Sequence, residues 1–94
     1  MSYQYPIDSS WNMDELLSVM ALFEITEKAY EKGVAREEVI SCYQKFTSLG
    51  FSKAEEKQLD KEFSKVSGYS LYQVLKACKE GEKFIRLKVN KWEG

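Results

Sequence analysis

Four glycines divide this chain into helix-sized segments, and their spacing constrains the fold more than any other feature of the sequence. They stand at positions 33, 50, 68 and 81. Glycine adopts the left-handed backbone conformation that ends many helices, which other residues reach only at an energetic cost. The spacing predicts four helices, over residues 12–32, 36–49, 53–67 and 71–80.

Three of the four predicted helices begin with a recognisable N-cap. Asn12 is followed by Glu15, Ser52 by Glu55 and Ser70 by Gln73, the spacing of a capping box in which each side chain bonds the other residue's backbone N–H. The second helix is the exception, because Ala35 offers no side-chain acceptor. The pattern therefore gives clear start points for helices 1, 3 and 4.

The first helix is apolar on nearly every side. Between Leu16 and Ile25, Ser18 and Glu24 are the strongly polar residues. A helix of this kind is buried, so it is either the central helix of the fold or partly covered by a second subunit. The sequence predicts an all-α fold, a compact array of four helices in one domain over residues 1–81.

The segments that flank the helices have their own patterns. Residues 3–11, rich in aromatic side chains, are expected to form an extended arm that packs across the helices. Beyond Gly81, in the basic tail of residues 82–94, Ile85, Leu87 and Val89 alternate with Arg86 and Lys88, which suits a strand. No partner strand is evident, so three alternatives stay open: an extended segment on the helices, pairing with another copy, or a loose tail.

Composition indicates an ordinary water-soluble protein of the cytoplasm. The 94 residues are 44% hydrophobic and carry a net charge of −1. No apolar run is long enough to span a bilayer, and residues 1–10 lack the features of a signal peptide. The two cysteines, Cys42 and Cys78, fall on or beside apolar helix faces, where a free thiol acts as a small hydrophobe.

The absence of histidine limits the chemistry open to this chain. It excludes nucleophile–histidine pairs and histidine-ligated zinc, and two cysteines cannot complete a tetrahedral zinc site. The adjacent carboxylates at 37/38 and 55/56 point to different sides of their helices and suit the first helical turn. We therefore expect no enzymatic activity, no catalytic or metal-binding residues and no cofactor.

Charge is distributed unevenly along the chain. Residues 1–50 carry eight acids and four bases, whereas residues 51–94 carry ten bases and seven acids. Either the two parts attract each other within the fold or the basic part meets an acidic partner. The first interpretation needs no partner and is favoured.

Five residues are candidates for binding a partner: Lys57, Lys61, Tyr72, Lys76 and Lys79. The favoured function is a non-enzymatic protein–protein interaction module, with self-association as one form of it. The alternative is a weak nucleic-acid-binding regulator, in which helices 3 and 4 resemble a helix-turn-helix and helix 4 enters the major groove. Acids interleaved with the lysines of helix 3, and the absence of arginine from helix 4, weigh against that alternative.

Four blocks of sequence resemble the small, uncharacterised YktA-like family of Bacillus-type bacteria. The blocks are Tyr5-Pro6-Ile7-Asp8 with Trp11, the segment 27–33 (EKAYEKG), the segment 52–59 (SKAEEKQL), and Ser67-Gly68-Tyr69-Ser70 with Tyr72 and Val74. Together they span most of residues 3–79. The resemblance implies a small all-α domain of four helices and a cytoplasmic origin, and it implies no activity. The tail from Gly81 departs from the pattern.

Overall fold

The computed structural model describes residues 5–88 and is mainly helical. Its elements are α1 (Met13–Glu31), β1 (Val34–Ala35), α2 (Arg36–Ser48), α3 (Lys53–Ser67), α4 (Leu71–Lys79) and β2 (Phe84–Ile85). Each helix ends within one residue of the position predicted from the glycines and caps. The four-helix, all-α prediction is confirmed.

The predicted caps form at three helices, one of them only in part. Reciprocal capping boxes join Asn12 to Glu15 and Ser52 to Glu55. At α4 the Gln73 N–H donates to Ser70 Oγ over 3.3 Å. The backbone N–H of Ser70, however, donates to Tyr30 Oη over 3.2 Å. The predicted capping box at α4 is therefore wrong in its return bond, because a tyrosine of α1 serves that donor.

Helix α1 lies at the centre of the fold. It packs against α2, α4 and β1, and its side chains Val19, Leu22, Phe23 and Ala29 are fully or almost fully buried. The ring of Phe23 stacks on Phe63 of α3, with the centroids 4.3 Å apart. The prediction of a central first helix is confirmed.

The N-terminal arm packs on the helices through its aromatic residues. The ring of Tyr5 meets Phe23 and Phe63 edge-on, at centroid distances of 5.3 and 5.9 Å, and Tyr5 Oη donates to Glu27. Trp11 meets Phe51 edge-on at 5.9 Å. The predicted packing of the arm is confirmed for Tyr5 and Trp11, whereas residues 7–10 are exposed; Tyr3 lies outside the described residues.

The segment after Gly81 has a partner strand that the sequence did not reveal. Strand β2 pairs antiparallel with β1, with Val34 opposite Ile85 and Ala35 opposite Phe84. Ile85 is buried in the core and the N–H of Leu87 donates to Ala29 O. Residues 84–87 are thus extended on the helices. The expectation that this strand has no partner within the chain is wrong, and Val89 lies outside the described residues.

Within residues 5–88, no helix combines the length and the apolar character that crossing a membrane requires.

Candidate functional site

Helices α2 and α4, together with the first half of α3, enclose a groove of about 560 Å³. We call it the α2–α4 groove. Its apolar floor is formed by Ile40 and Tyr43 of α2 and by Leu71 and Leu75 of α4. Leu71 is fully buried, whereas the other three are half-buried and leave part of their apolar surface open. A concave, largely apolar site of this size falls in the range of ligand-binding pockets.

Basic side chains surround this apolar floor. They outnumber the acidic side chains that line the groove, Glu56 and Asp60, and they come from all three helices: Arg36, Lys53, Lys57, Lys76 and Lys79. The rim therefore carries net positive charge.

Both acidic side chains of the groove are already engaged within the fold. The Tyr43 hydroxyl donates to Glu56 Oε1 over 2.9 Å, and Lys53 Nζ lies 3.8 Å from the same oxygen. Asp60 Oδ1 accepts the N–H of Leu71 over 2.9 Å and so caps the first turn of α4. Their internal partners reduce their ability to neutralise the lysines of the rim.

Several pKa values in the groove follow from these contacts. Burial, followed by the hydrogen bond to Glu56, raises the pKa of Tyr43. The pKa of Lys53 is also raised, chiefly because its ammonium donates to Tyr43 Oη and lies beside Glu56. Burial raises the pKa of the Cys78 thiol. Raised values keep the tyrosine and the thiol neutral and the lysine charged near neutral pH, so none of the three is activated as a nucleophile or base.

Arg36 fixes one end of the groove. Its Nε donates to the carbonyl oxygen of Cys78 over 2.9 Å, and its backbone N–H donates to Lys83 O over 2.9 Å. The first contact gives a second donor to a carbonyl that also accepts the N–H of Gly81, and it places a cation in the last turn of α4, where positive charge is favourable. Arg36 thereby ties the start of α2 to the end of α4.

The structure brings four of the five candidate partner-binding residues together. Lys57, Tyr72, Lys76 and Lys79 line the α2–α4 groove, and Tyr72 is 61% exposed. Lys61 is also exposed on α3 but is not part of the groove lining. The grouping of these four follows from the fold, whereas their contact with a partner stays a prediction.

The sequence did not reveal the apolar floor of the groove, nor the role of Arg36 at one of its ends. Ile40 and Leu75 follow the helical spacing of core residues, so nothing in the sequence distinguishes them from a fully buried position such as Leu71. Arg36 did carry a signal. A cation in the first turn of a helix opposes the helix dipole, which indicates a tertiary partner such as the Cys78 carbonyl.

The two oppositely charged parts of the chain are not joined by an ion pair within residues 5–88. The ion pairs found there are Lys28–Glu38 at 3.6 Å and Lys53–Glu56 at 3.8 Å, each within one part. The favoured interpretation of the charge asymmetry, mutual attraction inside the fold, therefore has no direct contact in this region to support it. The lysines Lys57, Lys76 and Lys79 have no acidic partner within 4 Å among the described residues.

A second cleft, of about 490 Å³, lies between the N-terminal arm and α3. Two of its acidic residues have structural roles, since Asp8 accepts the N–H and hydroxyl of Ser10 and Glu55 belongs to the capping box of α3. Across the part of the chain that the structure describes, no three Cys, Asp or Glu side chains are grouped so that they could hold a metal ion. The α2–α4 groove is therefore the stronger candidate site.

Comparison with known proteins shows that the chain is similar in sequence to a family of bacterial proteins. A family model described as "Uncharacterised protein family (UPF0223)" matches residues 2–86. A UPF0223 protein of Bacillus mycoides is 48% identical over 80 residues, which cover 85% of this chain and 90% of the relative. One from Oceanobacillus iheyensis is 47% identical over 88 residues, covering 93% and 100%. One from Streptococcus gordonii is 45% identical over 82 residues, covering 87% and 89%.

These matches confirm the resemblance to a small family of Gram-positive bacteria. They also correct one detail. The family match continues through residue 86, so the inference that the chain departs from the family after Gly81 is wrong for residues 82–86. That segment contains β2, whose Ile85 completes the core.

Proposed function

The chain belongs to the UPF0223 family, and from the geometry of this family member we propose that it is a non-enzymatic protein–protein interaction module that binds a segment of a partner protein in the α2–α4 groove. The observation that carries the proposal is the combination, in one concave site, of a partly open apolar floor and three lysines, Lys57, Lys76 and Lys79, that have no acidic partner among residues 5–88. A cytoplasmic location belongs to the same proposal, and the two free thiols suit a reducing compartment.

The composition of the groove favours binding over catalysis. Apolar side chains form its centre and charged side chains its edge, which is the arrangement of a protein interface with a hydrophobic core and a polar rim. The exposed ring of Tyr72 stands at this edge. Tyrosine is enriched among the residues that contribute most to binding energy.

Site-specific crosslinking tests this proposal. A photoreactive amino acid replaces Tyr72 in Gram-positive cells that produce the protein, and crosslinked products are identified by mass spectrometry. We expect one defined protein, or a second copy of this chain, that also binds the purified protein. Introducing Leu75→Glu into the apolar floor should abolish the product.

The matched control carries the same photoreactive group at Lys61, which is exposed but lies outside the groove lining. The proposal is contradicted if the products at positions 61 and 72 are the same, or if position 72 gives none. Light scattering of the purified protein separates self-association from binding to a different chain.

Nucleic-acid binding is the second candidate function. Lys57, Lys76 and Lys79, which have no acidic partner within the described residues, favour it, whereas the apolar floor between them does not. Binding of this kind weakens steeply as salt is added. Lys57→Glu and Lys76→Glu should abolish the mobility shift of duplex DNA at low salt, and a wild-type protein that causes no shift would exclude this candidate.

A further inference from the structure

The backbone around the α2–α4 groove limits the conformation of what can bind there. All of its lining residues belong to α2, α3 or α4, so their backbone groups bond mainly within their own helices. The helix ends are occupied as well: the N–H of Leu71 donates to Asp60, and the carbonyl of Cys78 accepts from Arg36. An extended peptide would find few backbone partners here for its own N–H and C=O groups.

A helical ligand avoids this cost. Its backbone hydrogen bonds are made internally, so it can place an apolar face on the floor without leaving buried polar groups unpaired. The floor offers two short rows of apolar side chains, Ile40 and Tyr43 on α2 and Leu71 and Leu75 on α4. Residues three or four positions apart share one face of a helix, and both rows have this spacing. A ligand helix lying along the groove would contact the open apolar surface of Ile40, Tyr43 and Leu75.

The rim determines the charge of that ligand. Lys57 approaches from α3, and Lys76 and Lys79 approach from α4, all without an acidic partner among the described residues. Carboxylates on the flanks of a bound helix would meet these ammonium groups, whereas basic flanks would be repelled. Charge complementarity therefore selects acidic side chains.

We infer that the α2–α4 groove binds an acidic amphipathic helix of the partner protein. The inference rests on the proposed function and specifies the partner's binding segment. Leucine-like side chains spaced by three and four residues pack on the open surface of Ile40 and Leu75, and glutamate or aspartate beside them pairs with Lys57, Lys76 and Lys79. This is the helix-in-groove mode of recognition.

The test uses three synthetic, end-capped peptides of about 15 residues, a length at which isolated helices become marginally stable. The first carries leucines on one helical face with glutamates on the flanks. The second has the same composition in an order that scatters the leucines, and the third has lysine in place of glutamate. Binding to the full chain is measured by fluorescence anisotropy and mapped by NMR chemical shifts.

We expect the first peptide to bind at least about tenfold more tightly than the other two. The largest shifts should fall on Ile40, Tyr43 and Leu75. The double variant Lys76→Glu with Lys79→Glu should reverse the preference from the acidic to the basic peptide. The matched control, Lys61→Glu with Lys65→Glu on the exposed part of α3, should retain the preference for the acidic peptide. Circular dichroism verifies that both variants fold.

Equal binding of the ordered and scattered peptides, or shifts that map outside the groove, would overturn the inference. The inference would also be overturned if the double variant Lys76→Glu with Lys79→Glu still preferred the acidic peptide to the basic one. The crosslinking experiment separates the two proposals. If the photoreactive group at position 72 captures a partner through a segment that is extended or basic, the inference fails and the proposed function stands. If Tyr72 captures nothing, both fail.

Discussion

Gly33 shows how one residue satisfies two separate requirements of this fold. Its φ of +95° places it in the left-handed region, as the helix-ending role predicts. Its missing side chain also leaves space for β2, because an added Cβ would lie 2.6 Å from Phe84 Cζ. Gly50 has a φ of +92°, and among the described residues no atom other than those of its chain neighbours lies within 4 Å of the same position. The two glycines therefore share the backbone requirement but differ in crowding.

We expect Gly33→Ala to destabilise the protein more than Gly50→Ala. Each substitution places a side chain in the left-handed region, at a cost of about 1–2 kcal/mol. Gly33→Ala also forces the exposed ring of Phe84 to move aside, which adds a smaller cost because the close atoms lie at the end of a flexible side chain. Urea denaturation of both variants measures the difference in the free energy of unfolding.

Phe84 provides the control for this comparison, because its ring is 58% exposed and contributes little to the core. The double variant Gly33→Ala with Phe84→Ala should regain the additional free energy of unfolding that Gly33→Ala loses. Its total loss should then be close to that of Gly50→Ala. Equal destabilisation by the two single glycine variants would show that the close approach of Phe84 has no energetic consequence.

At the scale of elements, the corner between α3 and α4 is held by polar contacts as well as by Gly68. The Ser64 hydroxyl donates to Tyr69 O over 2.7 Å, and Asp60 accepts the N–H of Leu71. The ring of Tyr69 stacks on Tyr30 of α1, with centroids 4.6 Å apart. The two hydrogen bonds satisfy backbone groups between and at the ends of the helices, and the ring stack adds an aromatic contact to α1. The position of α4, and hence one wall of the groove, depends on them.

Asp60 allows this dependence to be measured. Asp60→Ala should lower the free energy of unfolding by about 1–2 kcal/mol, as loss of a helix cap does. Asp60→Asn keeps an acceptor for the Leu71 N–H and should cost less. Denaturant titrations of the two variants separate the contribution of the hydrogen bond to the free energy of unfolding from the contribution of the carboxylate charge. A greater loss for Asp60→Asn than for Asp60→Ala would contradict the capping role.

The helices could be predicted from sequence because their signals are local. Asn12 with Glu15 and Ser52 with Glu55 act over a single turn, and both pairs form as expected. Strand β1 could not be predicted, since two residues show no period and Val34 meets Ile85 across about fifty intervening residues. For the same reason the missing return bond at Ser70 was not foreseen, because its competitor, Tyr30 Oη, is distant in sequence.

The charged residues of the candidate site could be predicted from the sequence, but the shape of the groove between them could not. Lys76 and Lys79 were identified because exposed cations are visible in the helical pattern of α4. Whether Leu75 is buried or left partly open depends on how α2 and α4 approach each other, which no local pattern encodes. Lys61 was grouped with Lys57 by spacing alone, and the structure includes Lys57 but not Lys61 in the groove lining.

For the whole molecule, tyrosine hydroxyls connect separate parts of the chain through acidic partners. Tyr5 donates to Glu27, Tyr43 to Glu56 and Tyr69 to Glu31. Burial first, and then Glu27, raises the pKa of Tyr5. The hydrogen bond to Glu31 is the largest cause that raises the pKa of Tyr69 to about 12. The folded state therefore favours the neutral phenol at each of these positions.

This preference predicts sensitivity to alkali. A group whose pKa is higher in the folded state contributes stability that is fully present below its unfolded pKa, which is 10.0 for tyrosine, and that is lost as the pH rises through the folded value. We expect the free energy of unfolding to decline between pH 10 and pH 12. Denaturant titrations at each pH measure the decline, and tyrosinate absorbance follows the phenols.

Tyr69→Phe removes one of these titrating groups and should make the decline shallower. Tyr72→Phe is the control, because that side chain is 61% exposed and stands at the groove edge. A wild-type stability that stays constant across this pH range would contradict the link between the tyrosine–carboxylate contacts and folding.

The pairing of β1 with β2 has a consequence for how the protein is made. Val34 and Ile85 are both buried and lie opposite each other, so the core is incomplete until the ribosome has synthesised and released residue 85. In a nascent chain that contains all four helices but lacks β2, strand β1 is unpaired, and its open edge at Val34 is exposed to other nascent chains. Folding of the core therefore cannot be completed before residue 85 has left the ribosome, and a translation product that stops before Phe84 should be a substrate for proteolysis.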